Sequence, residues 1–364
     1  MGFSCGIVGM PNVGKSTLFN AVTNAANAQT ANYPFCTIEP NQTSVAVPDK
    51  RLHQLAKIAS SVKVIPTFID FVDIAGLIKN ASKGEGLGNQ FLEHIRSVDA
   101  IMHVVRCFED NDIIHTENSV DPVRDAEIVE TELLLSDISF IEKRLLNLTK
   151  KSAGCKIATL EEIELCKKML DFAQSGQLLR LLELSDKEKI TVYKMHLLTM
   201  KPIIYIANID ESSAASNVML KKFKNFADNA KCKVVPICAK IESEMIGFKQ
   251  HEKIDMIKEM GFGDTALNNI VKYGHNALNL ITFFTVGEKE TRAWSMLKGE
   301  LAPSAAGVIH TDFKDGFIKA ETISFNDFIE HQGHNNAKNA GKLRFEGKGY
   351  IVQEGDIMHF RFNV

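Results

Sequence analysis

The sequence predicts an α/β chain in three parts: a doubly wound, mainly parallel sheet carrying a phosphate loop, a helical arm inserted into it, and a small mixed sheet toward the C-terminal end. Three observations predict this. A G-x-x-x-x-G-K-S run at residues 9–16 stands between an apolar, strand-like stretch and a helical one. At about residue 125 the apolar residues take up a spacing of three and four. From residue 281 the pattern becomes short runs rich in Phe, Ile and Thr between turns.

With 364 residues, 45% apolar and 24% charged, the chain can bury two or three cores, which excludes disordered and fibrous classes. A formal net charge of −3 gives no overall attraction to nucleic acid, so such a partner would need a local patch. Seven cysteines without a C-x-x-C pair suit reduced thiols rather than zinc or a disulfide framework. The first strand starts almost at Met1 and no apolar run has the length of a membrane span. A cytoplasmic protein with no membrane partner is expected.

Residues 3–8 read as a buried strand and 16–26 as a helix. Between them Gly9 and Gly14 let successive N–H groups turn toward phosphate oxygens, and the helix adds its positive end. Lys15 would reach the β- and γ-phosphates and the Ser16 hydroxyl would bind Mg²⁺. Asn12, Val13, Gly14, Lys15, Ser16 and Thr17 are therefore candidate nucleotide contacts.

Residues 29–43, with Pro34 and Pro40, read as an ordered loop. Thr37 is the candidate for contacting Mg²⁺ and sensing the γ-phosphate; a Thr satisfying a turn is the alternative. Residues 67–72 read as a strand ending in Asp73-Ile74-Ala75-Gly76. Asp73 would hold the Mg²⁺ shell through water and Gly76 would offer its N–H to the γ-phosphate. Leu77 cannot orient an attacking water, so hydrolysis is slow or recruits another group. Three alternating glycines, Gly84, Gly86 and Gly88, suit a second switch segment over 79–90. Residues 91–98 read as a helix and 100–105 as a third buried strand, followed by a polar loop reaching His115. His115 could position or deprotonate water; a surface histidine is the alternative.

Leu134, Ile138, Ile141, Leu145 and Leu148, then Ile163, Cys166, Leu170 and Ala173, form two apolar seams that predict an antiparallel coiled-coil arm. The seams can serve structure alone, or the arm can be a contact surface for a large partner. Ser185 and Glu188 form a capping-box pattern that returns the chain to the sheet. The strand at 202–207 leads into Asn208-Ile209-Asp210-Glu211, where guanine-binding proteins carry N-K-x-D. Ile209 stands for the Lys and Glu211 for the Asp. Adenine lacks the paired N1–H and N2 donors that a carboxylate accepts, whereas Asn208 could still bond N6 and N7, so ATP is inferred. Cys238, Ala239 and Lys240 follow a fifth strand and would bring backbone N–H groups to the base edge. The expected division is residues 1–124 and 200–280 for the nucleotide-binding domain, 125–199 for the arm and 281–364 for the C-terminal module. Lys338, Lys342, Arg344 and Lys348 give the last part a modest positive excess, which suits a solvated face or an RNA contact.

Several stretches together resemble the Obg-related YchF, or Obg-like, ATPases: GMPNVGKS at 9–16, NYPFCTIEPN at 32–41, DIAGL at 73–77, SKGEGLGNQFLEHIR at 82–96, NxxE at 208–211, RAW at 292–294 and AAGVIHTDFKDGFIKAETI at 305–323. The resemblance spans nearly the whole chain. It implies a P-loop NTPase of the TRAFAC class, with a Ras-like G domain, that prefers ATP. A coiled-coil insert, a ubiquitin-like β-grasp TGS domain, association with ribosomes, and a link to translation and oxidative stress are also implied. It further implies that His115 serves ribosome-stimulated hydrolysis, that Asn12 helps hold an activating K⁺ and that Cys36 takes part in redox control, where the residue alone reads as an inert thiol. Lys240 stands where the family commonly has Ala. A true GTPase and a binding adaptor with incidental turnover are the competing readings.

Overall fold

A computed structural model describes residues 3–30, 38–39, 41–74, 87–110, 112–113, 115–117, 119–150, 157–211, 216–245, 248, 250–259 and 264–363. Cys36, Thr37, Gly76 and Leu77, and most of the glycine-rich segment at 79–90, lie outside the described residues.

From the N-terminus the chain runs β1 (Phe3–Val8), α1 (Lys15–Thr30), β2 (Ile38–Glu39), β3 (Gln42–Ala46), α2 (Lys50–Ala59), β4 (Lys63–Ile65), β5 (Phe68–Asp73), α3 (Leu87–Ser97), β6 (Ala100–Arg106), α4 (Pro122–Lys150), α5 (Ile157–Gln174), α6 (Asp186–Tyr193), β7 (Ile203–Asn208), α7 (Val218–Asn229), β8 (Lys233–Ile237), α8 (Ala239–Glu244), α9 (Gln250–Glu259) and α10 (Ala266–Ala277). It continues through β9 (Leu280–Val286), β10 (Glu290–Leu297), α11 (Ala302–Ile309), α12 (Thr311–Asp315), β11 (Phe317–Ser324), α13 (Phe325–Glu330), α14 (His334–Asn339), β12 (Arg344–Glu346) and β13 (Asp356–Phe362).

Seven strands form one sheet in the order β2-β3-β5-β1-β6-β7-β8. Strands β5, β1, β6, β7 and β8 are parallel, and β3 runs antiparallel at one side. Helices cover both faces, so the central strands are apolar runs rather than alternating ones; every residue of β6 and β7 is buried. The chain moves from β5 on one side of β1 to β6 on the other. That reversal opens a crevice at the carboxyl ends of the strands, where the phosphate loop lies. This is the P-loop architecture expected from the sequence.

In the arm, Leu134 and Ile141 of α4 pack with Cys166, Met169 and Ala173 of α5 in a core of its own, and Ile138, Leu145 and Leu170 lie partly buried against it. Arg144 Nε donates to Glu162 across the pair at 2.7 Å. At the base, the fully buried Asp137 carboxylate accepts from the Leu198 and Thr199 amides and the Thr199 hydroxyl at 2.7–2.9 Å. Burial raises its pKa while these bonds pull it down. The Ser185–Glu188 capping box forms as the sequence predicts.

Six strands form the second sheet, in the order β12-β11-β13-β9-β10-β4. Its edge is borrowed from the first part of the chain: β4 pairs in parallel with β10, Lys63 opposite Glu290 and Ile65 opposite Arg292. Leu52 and Leu55 of α2 pack with Phe284, Ala293, Ile323 and Phe328. Residues 50–65 thus join the core of the C-terminal sheet, although the sequence reading groups them with the nucleotide-binding part. The three residues of β4 gain strand structure from a partner more than two hundred residues away, which local pattern cannot register, whereas α2 carries its own Asp49 cap and apolar stripe. The loop expected over 29–43 is likewise shorter, because α1 runs to Thr30 and the β2–β3 pair begins at Ile38. Among the described residues no helix is long and apolar enough to cross a membrane.

Candidate nucleotide site

The phosphate loop has the backbone its sequence demands. Gly9 has φ +152 and a Cβ there would lie 2.3 Å from the Val104 carbonyl oxygen; Gly14 has φ +98 and a Cβ would strike the Asn208 amide. Asn12 takes the left-handed conformation at φ 60, one that Asn tolerates better than most residues. Val13 is buried, while Ser16 and Thr17 lie exposed at the start of α1. Lys15 Nζ donates to the Met10 carbonyl at 2.7 Å. Burial lowers the Lys15 pKa, and the Asp73 carboxylate at the end of β5 opposes that shift. Burial raises the Asp73 pKa, and Lys15 holds it down. Each charge thus favours the ionised form of the other.

Beside the loop opens a cavity of about 500 Å³, within the range of small-molecule sites. Asn12, Gly14 and Thr17 form one side; Asn208, Ile209 and Glu211 the second; Cys238, Ala239 and Lys240 the third; and Phe108, Asp110 and Ile113 the last. Of the residues expected from the sequence, Asn12, Gly14, Thr17, Asn208, Ile209, Glu211, Cys238, Ala239 and Lys240 line this opening, while Val13, Lys15, Ser16 and Asp73 do not.

Their individual tasks differ in places from expectation. Asn208 is buried, its Nδ2 donating to the Val13 carbonyl at 3.0 Å and its Oδ1 accepting from the Ala239 amide at 3.1 Å. The side chain expected on the base is a strut joining phosphate loop to base loop, and the Ala239 N–H expected at the base edge is held by that strut. Ile209 is 1% exposed, packed in the sheet's core, with its N–H bonded to the Ile237 carbonyl. Cys238 caps α8 and is buried, and burial raises its pKa. Glu211 and Lys240 form an ion pair of 2.8 Å on the exposed rim.

His115, expected as a polar loop residue on the phosphate side, is 6% exposed and does not line the cavity. Its Nε2 lies 2.8 Å from Asp125 Oδ2 and its Nδ1 accepts from the Glu117 amide at 3.2 Å. Since Nδ1 accepts, the bonding assigns the proton to Nε2, which donates to Asp125. The start of α4 captures the ring.

Arg106 is a functional residue that the sequence reading missed. Fully buried at the end of β6, it donates to the carbonyls of Phe108, Asp110 and Ile113 at 3.0 Å each, and its guanidinium lies 4.7 Å from the Phe108 ring centroid. It fixes the loop that walls the cavity. An Arg closing a strand that is apolar apart from His103 was the available signal.

Comparison with known proteins adds three kinds of likeness. A family model described as a 50S ribosome-binding GTPase matches residues 4–139, and the YchF-GTPase_C model, described as a protein of unknown function (DUF933), matches 280–363. Proteins named ribosome-binding ATPase YchF from Haemophilus ducreyi, Escherichia coli O157:H7 and Bacillus subtilis are 50%, 49% and 46% identical, each pairing covering 100% of both chains. A solved structure described as the Schizosaccharomyces pombe YchF GTPase superposes with a TM-score of 0.87 at 40% identity, covering 99% of this chain and 97% of that one. A Pyrococcus horikoshii GTP-binding protein, with a TM-score of 0.64 and 20% identity, shares the fold over 99% of this chain and 100% of that one.

Proposed function

The chain belongs to the YchF family, and on that premise we propose that it is an ATP-hydrolysing molecular switch that binds ribosomes and reports its nucleotide state to them. The observation that carries this reading is the 500 Å³ cavity shared by the phosphate loop and the 208–211 and 238–240 segments. ATP sits with its triphosphate along residues 9–16, where Lys15 exchanges the Met10 carbonyl for phosphate oxygens, and with its base against the rim that the Glu211–Lys240 pair forms.

The residues present fit Mg²⁺. The Asp73 carboxylate is half-buried beside Lys15, and a hydroxyl with a carboxylate makes the oxygen-only donor set that a hard cation takes. Ser16, Asp73 and Thr37 would hold the ion, which when bound draws charge from the phosphate oxygens. Asn12 is the residue to which a K⁺ requirement would be traced. A role for His115 in stimulated turnover requires its loop to move so that the ring leaves Asp125. With Leu77 unable to orient water, slow intrinsic hydrolysis and acceleration by the ribosome belong together. The helical arm and the 281–364 module, taken as a β-grasp TGS domain, supply surfaces for the ribosome and its RNA. The division into a nucleotide-binding part, an arm and a C-terminal module is part of this proposal, with α2 and β4 assigned to the C-terminal module rather than to the first part. A ribosomal partner fits a cytoplasmic location.

The test is ATP turnover by the purified protein with and without ribosomes. Stimulation by about tenfold or more, lost in Lys15→Ala, is the expected result. Turnover unmoved by ribosomes would leave the nucleotide as a structural element and remove the switch. One observation favours GTP as a second reading: Glu211 keeps a carboxylate at the cavity rim where guanine could meet it.

A further inference from the structure

The seven-stranded and six-stranded sheets enclose a second cavity, of about 210 Å³, separate from the nucleotide cavity. Strands β3 and β5 bring Ser44, Phe68 and Asp70 to one side, and β10 brings Arg292 and Trp294 to the other.

Arg292 belongs to the RAW run that the nucleotide site leaves unused. Its guanidinium carbon lies 4.0 Å from the Trp294 ring centroid, so the group rests against the indole. Its Nε is buried and without a hydrogen-bond partner. Among the described residues no carboxylate pairs with this guanidinium. Buried donors are rarely left unmet, and a stacked guanidinium offers its edge to a carboxylate. Across the cavity, the Asp70 carboxylate accepts the Ser44 hydroxyl and forms no ion pair among the described residues. An unpaired cation and an unpaired anion therefore line the same small space without meeting each other.

A bare phosphate answers Arg292 but is repelled by Asp70; a simple amine does the reverse. A zwitterion answers both. The space is large enough for several waters or for a small organic ligand. Phe68 and Trp294 supply an apolar wall for the remainder of such a molecule. We propose that this interface is a binding site for a small aliphatic α-amino acid, its carboxylate on Arg292 and its ammonium on Asp70.

Trp294 is the single tryptophan of the chain, so intrinsic fluorescence reads this site. The whole protein is titrated with L-alanine and L-valine, and with propionate, ethylamine and inorganic phosphate as partial mimics, with calorimetry as a second readout. The expected result is saturable binding of an amino acid, and binding of each partial mimic at least about tenfold weaker, since each forfeits one charge-assisted interaction. Arg292→Gln and Asp70→Asn should each weaken amino-acid binding by at least about tenfold and leave ATP affinity unchanged. No saturable binding below about 10 mM by either readout would overturn the proposal, leaving the cavity to water. So would phosphate or propionate binding as tightly as the amino acid, or an Asp70→Asn protein that binds as before. Should Arg292→Gln not fold, the comparison of amino acid with its partial mimics and the Asp70→Asn protein decide the matter.

Discussion

The two ends of the nucleotide site are built by opposite means. At the phosphate end, eight consecutive residues supply the curled backbone, the lysine and the helix start, and the tight conformations fall on Gly9, Asn12 and Gly14. At the base end, three separated segments meet, and their polar groups are largely engaged with one another: Asn208 with Val13 and Ala239, Glu211 with Lys240, Arg106 with the carbonyls of the 108–113 loop. The first end is pre-shaped for charge. The second is pre-shaped chiefly for its own stability, and it selects a base with the few groups left at its rim. Phosphate affinity should therefore rest on single side chains, while base preference should yield only gradually to substitution.

Substitutions can break that contrast. Lys15→Ala should lower ATP affinity by about 100-fold or more, since it removes charge-assisted bonds to phosphate, while the protein stays folded; retained affinity in calorimetry would remove the phosphate-loop assignment. Next in size, His115→Ala should preserve ATP affinity and reduce ribosome-stimulated turnover by about 100-fold, the low end for a positioned acid or base. Unchanged stimulated turnover would reduce the His115–Asp125 contact to a structural one.

Asn208→Ala sharpens the comparison from the other side. It leaves the Val13 carbonyl and Ala239 amide without their partner and should cost about 1–3 kcal/mol of folding stability, read as a lowered denaturation midpoint. ATP and GTP should weaken together, to within about twofold of each other, because the strut supports both ends of the site. A changed ratio with unchanged stability would restore Asn208 to direct base reading. The smallest effect belongs to Lys240→Ala. Freeing the Glu211 carboxylate should move preference toward GTP, by no more than about fivefold because an exposed pair is weak. A move toward ATP would mean that Lys240 itself reads the base.

The same contrast explains what was legible in the sequence. The phosphate loop could be read because its chemistry is contiguous, and β1, β6 and β7 because buried parallel strands are predominantly apolar runs. The arm could be read because its helices repeat a seam. Strand β4 was hidden, since three residues acquire strand structure only by pairing with β10 far along the chain. The tasks of Asn208 and His115 were hidden for a related reason: the sequence gives the residue type, while the partners Ala239 and Asp125 are set by packing. Thr37 and Gly76, the switch candidates, belong to segments outside the described residues.

The central claim is that the rim residues Glu211 and Lys240, in place of a free guanine-reading carboxylate, make this an ATP site. It is tested most directly by the equilibrium affinity of the nucleotide-free protein for ATP and for GTP, each with Mg²⁺ and K⁺. ATP should bind at least about tenfold more tightly, a difference of about 1.4 kcal/mol. Equal or tighter GTP binding would contradict the claim and make the protein a GTPase of the same family.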